Sequence, residues 1–156
     1  ADFERHYSTL TGASWDSEDE PIKRWEKLAG KEELFFLSMP PFRGSEEFVQ
    51  EVSQLATATG YRCQFLTALP SLWNFRTAAD EKAQWVAEKI GSTLPVIIGP
   101  YAKDKASHCK PKDILIDDSR QNIQQWIAAG GYGILHVSFP QTIFELKNLL
   151  SNSSDL

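Results

Sequence analysis

At 156 residues, with 42% hydrophobic and 24% charged side chains, the chain can bury one core and has the composition of an ordinary globular domain. A net charge of −5 speaks against a nucleic-acid polymer as partner, whose sites are basic, while leaving room for a single nucleotide held by a few local cations. No apolar run approaches the roughly 18–20 residues that span a bilayer, so no membrane is expected, and no basic-then-apolar leader opens the sequence. Cys63 and Cys109 fit no metal spacing and point to a reducing, cytoplasmic setting.

Phe3, Tyr7 and Leu10 recur at helical spacing and predict a helix over 2–11. The stretch 12–44 is irregular. It holds an amphipathic piece at Ile22, Trp25 and Leu28, then Phe35, Phe36, Leu37, Met39 and Pro40-Pro41, and reads either as a small cap over a site or as a surface excursion. Ser45 is placed to cap a helix carrying Phe48, Val49, Val52, Leu55 and Ala56, which Gly60 ends. Tyr61 to Leu66 predicts a strand ending at Thr67, and Ala83, Val86, Ala87 and Ile90 a helix stopping at Gly91. Strands are expected at Leu94 to Ile98, before Gly99-Pro100, and at Asp113 to Ile116, before Asp117-Asp118. Ile123, Trp126 and Ile127 form a helical face closed by Gly130-Gly131. A strand at Gly133 to Val137 and a helix with Phe144, Leu146, Leu149 and Leu150 complete the pattern, leaving Ser151 to Asp155 as a frayed polar tail.

Strands alternating with helices mean βαβ units, hence an α/β fold with a mainly parallel sheet covered on both faces. Ligands of such sheets sit beyond the carboxyl ends of the strands. The residues found there are Thr67, the Lys103/Lys105 region and Asp117-Asp118. A hydroxyl, an ammonium and paired carboxylates suit a phosphate accompanied by a hard divalent cation. Each also has a plain reading: Thr67 as a turn residue, the lysines as solvated charges, Asp117-Asp118 as a helix N-cap.

The run Asp113-Ile114-Leu115-Ile116-Asp117-Asp118-Ser119-Arg120-Gln121-Asn122-Ile123, continuing to His136, resembles the fourth motif of the haloacid dehalogenase (HAD) superfamily in its 5′(3′)-deoxyribonucleotidase branch. Phe65-Leu66-Thr67-Ala68 resembles the second motif, and Glu81-Lys82-Ala83-Gln84-Trp85-Val86 the helix whose lysine reaches substrate phosphate. Lys105 occupies the place of the third-motif lysine, with Lys103 as the alternative. Ala1-Asp2-Phe3-Glu4 looks like the continuation of the first motif. The resemblance covers most of 45–150 and makes 12–44 a small helical cap in a single Rossmann-like three-layer sandwich over 1–156. It places the strand bearing the nucleophile and the general acid, an Asp-x-Asp pair, upstream of Ala1.

What the resemblance implies is a magnesium-dependent phosphatase, a 5′-nucleotidase acting on (deoxy)nucleoside monophosphates through an aspartyl-phosphate. Thr67 and Lys105 join the catalytic frame. Phe3, Thr67, Ala68, Lys82 and Lys105 bind substrate, Phe3 against the base, and Asp117 and Asp118 hold Mg²⁺. A homodimer stays open. The alternative is a catalytically inert nucleotide- or phosphate-binding protein that keeps the cradle without the Asp-x-Asp pair. A phosphorylatable receiver domain uses similar residues, but its acidic pair comes early in the chain, whereas here it follows the Thr and the Lys.

Overall fold

The computed structural model describes residues 3–17, 21–28, 34–70, 77–99 and 101–153. Ala1, Asp2, Pro100, Ser154 and Asp155, and the side chains of Ile22 and Lys103, lie outside the described set.

The described residues form a mixed α/β structure with seven α-helices and four short strands. The helices are α1 (Phe3–Thr11), α2 (Pro21–Leu28), α3 (Phe35–Ser38), α4 (Ser45–Ala58), α5 (Ala78–Lys89), α6 (Arg120–Ala128) and α7 (Phe139–Ser153). The strands are β1 (Phe65–Ala68), β2 (Val96–Gly99), β3 (Ile114–Asp117) and β4 (Tyr132–Leu135). All pairing is parallel, as βαβ alternation requires. β1 pairs with β2 across α5, Thr67 opposite Ile98, and β3 pairs with β4 across α6, Asp117 opposite Leu135. The strands make two separate two-stranded sheets.

Side chains alternate along β3, and the two faces are covered by different helices. Leu115 joins Ile123 and Trp126 of α6, with Leu135 and Leu66 against them. Ile114 and Ile116 face the other way, onto a cluster of Ile134, Leu146 and Leu150 that also takes Val52 and Leu55 of α4. A third cluster, Tyr7, Leu28, Phe35, Phe36, Met39 and Ala78, gathers α1, α2 and α3 against the start of α5. The described residues of 12–44 thus include short helical pieces built around aromatic side chains.

Several sequence expectations shift. Ser45 is the first residue of α4 and not its cap, because Gly44 takes the N-cap position with a φ of 86° that favours glycine. Thr67 and Asp117 lie inside their strands as last or next-to-last residues, and β1 starts four residues later than predicted, at Phe65. Ala83 and Ala87 are exposed on α5; the side turned inward carries Ala78, Glu81, Val86 and, just beyond the helix, Ile90. Ile127, Val137 and Phe144 are exposed, and Ile143 takes the inward place on α7. α7 continues through Ser151 to Ser153, where a frayed tail was expected.

Gly131 is fixed by close approach. A Cβ there would lie 2.3 Å from Trp126 Nε1 and 2.7 Å from Cys109 Sγ. Trp126 is itself held, its indole N–H donating to the Asp113 carbonyl at 3.1 Å. Gly131→Ala is therefore expected to destabilise the chain by about 1–3 kcal/mol through overpacking. Thermal unfolding followed by circular dichroism reads this as a drop of several degrees, and an unchanged midpoint would mean that the indole moves aside freely.

Candidate functional site

Ala68 at the end of β1 and Asp118 just past β3 line one cavity of about 620 Å³, with Lys82 of α5 among its walls. Both strands end at the same place, where a parallel sheet offers its carboxyl ends to a ligand.

Lys82 reaches from the first turns of α5 to the end of β1. Its ammonium donates to the Ala68 carbonyl and, at 3.3 Å, to the Thr67 hydroxyl. It also sits 4.5 Å from the centre of the Phe36 ring. Burial pushes the Lys82 amine down from 10.5 to about 8; the nearby Lys105 charge adds to this and Glu81 opposes it. A half-buried cation near a second cation, bonded among the described residues to a carbonyl and a hydroxyl, is favourably placed to receive an anion.

Lys105 and Asp117 form a tighter arrangement. Lys105 Nζ lies 2.6 Å from Asp117 Oδ2, with the two side chains 14% and 4% exposed. Asp117 Oδ1 accepts the Ser119 backbone N–H at 2.8 Å, and the Asn122 amide donates to both oxygens at 3.1 Å. A carboxylate offers about four lone-pair sites. Those of Asp117 are all taken, so Asp117 serves as an anchor for Lys105. The helix cap that Asp117-Asp118 might have supplied is made instead by Ser119, whose side chain accepts from Asn122 N–H. Asp118 is exposed and faces the cavity.

Much of the cavity's remaining wall is aromatic, beside Glu4, Met39, Leu69 and Pro70. Phe3 packs edge-on against Trp15 at 4.8 Å, Trp25 at 5.7 Å and Phe35 at 5.5 Å. Phe3, Trp15, Trp25, Phe36 and Phe42 all line the space. Such a surface suits a flat apolar ring, with the ammonium of Lys82 at its edge.

The structure thus brings Phe3, Ala68, Lys82 and Asp118 to one cavity. Thr67, Lys105 and Asp117 support it without lining it; Lys105 takes the strand-end place, and the Lys103 side chain lies outside the described residues. Asn122, Trp15 and Glu81 are participants that periodicity did not reveal. Asn122 had a signal in the Ser119-x-x-Asn122 spacing that starts α6. Cys63 and Cys109 are half-buried, and burial pushes both thiols up, with Asp113 adding to the shift at Cys109.

Family models, curated proteins and solved structures yield no match to this chain. Among the described residues, no helix is long and apolar enough to cross a membrane.

Proposed function

We propose that this chain is the phosphate-binding frame of a magnesium-dependent phosphomonoester hydrolase of the HAD superfamily, a 5′-nucleotidase for (deoxy)nucleoside monophosphates. The observation that carries this reading is the meeting of a half-buried lysine and an aromatic wall in one cavity at the carboxyl ends of parallel strands. The phosphate lies against Lys82, whose ammonium the Thr67 hydroxyl helps to hold, and the base against Phe3 and its aromatic neighbours. Lys105, tied to Asp117, adds positive charge where the transferring phosphoryl group gains negative charge.

The same reading makes the two strand pairs parts of one Rossmann-like sheet in a three-layer sandwich. In support, β1 and β3 each pair with a single strand among the described residues, while Leu66 of β1 already packs on the Leu115–Trp126 cluster.

Among the described residues no group of three or more His, Cys, Asp or Glu is gathered to hold a metal, and a single carboxylate is compatible only with magnesium whose shell is completed by phosphate oxygens and waters. Asp118, exposed on the cavity, would hold it directly, and Asp117 would orient the loop through Ser119 and Lys105. Bound there, magnesium neutralises phosphoryl charge. Asp118→Asn, in the protein bearing its Asp-x-Asp strand, is expected to abolish magnesium-dependent release of phosphate from deoxynucleoside monophosphates while the melting curve holds. Retention of that activity would remove Asp118 from the site. Phosphate binding without any hydrolysis in the same protein would favour the alternative, a catalytically inert nucleotide-binding protein.

A further inference from the structure

Helix α5 does more than carry Lys82. Glu81, the preceding residue, is 4% exposed, a rare state for a carboxylate, and among the described residues its oxygens bond to neutral donors. Its Oε2 accepts the backbone N–H of Phe36 at 2.8 Å, and its Oε1 accepts the Thr77 hydroxyl. Phe36 lies in the first turn of α3, where backbone donors have no partner within the helix, and the N-cap residue Leu34 supplies no side-chain bond. Glu81 therefore caps α3 from another element. One turn further along α5, Trp85 Nε1 donates to the carbonyl of Met39 at 2.7 Å, and Met39 is the C-cap of α3. Helix α5 thus holds both ends of α3, whose Phe36 lines the cavity and covers the Lys82 ammonium.

We propose that Glu81 is a positioning residue, a latch that, with Trp85, fixes the aromatic wall in register with the phosphate-binding lysine and so sets affinity for the base-bearing part of the ligand. This rests on the nucleotide reading above and adds to it a residue that touches neither base nor phosphate. Two kinds of contact, one to the ring system and one to the anion, are held at a set spacing because one helix carries both Lys82 and the grip on α3. Loosening that grip leaves the anion contacts in place and lets the wall drift.

The test is calorimetric titration of the chain with inorganic phosphate and, separately, with deoxyadenosine monophosphate. Glu81→Ala is expected to weaken nucleotide binding by about tenfold, as two hydrogen bonds are lost, and to leave phosphate binding within about twofold. Glu81→Gln keeps an acceptor for Phe36 N–H and removes the charge, so it should restore nucleotide binding. Trp85→Phe keeps the ring, removes the bond to Met39, and should reproduce the selective loss even where Glu81→Ala does not fold. Glu88→Gln, on the exposed side of α5, should change neither affinity. Equal losses for both probes in Glu81→Ala or Trp85→Phe would overturn the latch, as would unchanged nucleotide affinity in both. A Glu81→Gln variant as weak as Glu81→Ala for both probes would mean that Glu81 acts through its charge on Lys82. Failure of the unmodified chain to bind either probe would overturn the nucleotide reading, and the latch with it; intact phosphate binding without selectivity sinks the latch alone.

Discussion

Asp117→Asn is expected to cost about 3–5 kcal/mol, because it leaves the largely buried Lys105 ammonium facing an amide where it had a carboxylate 2.6 Å away. The change is nearly isosteric, so the loss reflects charge and not volume. In a chain of this length it corresponds to a melting temperature lower by roughly ten degrees. Lys105→Met should also destabilise, by orphaning a carboxylate whose other partners, the Ser119 N–H and the Asn122 amide, are neutral. The double variant should recover much of the loss, since neither charge is then buried alone, and urea denaturation of the four proteins forms a closed cycle. Strictly additive losses would mean that the pair is not coupled.

Lys82 gives the second large effect, and it depends on pH. With its amine near 8, the lysine is charged at neutral pH and neutral in mild alkali. A phosphomonoester has its second pKa at about 6, so above about pH 7 any further change in binding belongs to the protein. Nucleoside monophosphate affinity should therefore fall as pH rises through about 8, with a proton taken up on binding in that range. Lys82→Ala should weaken binding by about one to two orders of magnitude below that point and converge on the unmodified protein above it. Parallel pH profiles for the two proteins would rule out Lys82 as the phosphate contact. Stability should move the other way. The folded-state pKa lies below the unfolded value, so the unfolded chain holds more protons between about 8 and 10.5. The penalty for burying the charge is complete below about 8 and disappears as pH rises to 10.5, so the unliganded chain gains stability over that window relative to Lys82→Ala.

Thr67, the Lys103/Lys105 region and Asp117-Asp118 were legible because each follows an apolar run, and chain order puts such residues at one end of a parallel arrangement, whereas Lys82 was singled out by the family resemblance alone. Element boundaries were less legible. The strands are four residues long, too short for alternation to mark where pairing begins. On α5 the apolar pattern selected Ala83 and Ala87, yet the inward side includes a carboxylate, and hydrophobic periodicity cannot see a Glu81 buried for its hydrogen bonds. The aromatic wall was visible as composition in 12–44 but not as a surface. Edge-on packing of Phe3 on Trp15, Trp25 and Phe35 depends on four separate segments converging, which no local window contains.

The two strand pairs bear on how the chain reaches its native state. Each is closed within a single crossover, β1 to β2 through α5 and β3 to β4 through α6, so each backbone ladder joins residues not far apart along the chain. Closing each link costs less loop entropy than a pairing between the two halves would, though parallel pairing is slow compared with helix formation. What joins the halves is made of side chains: Leu66 on the Leu115–Trp126 cluster, and Lys105 reaching from the connection after β2 to Asp117 at the end of β3. Amide hydrogen exchange in this chain is therefore expected to show two units that open separately, with the charged pair at their seam.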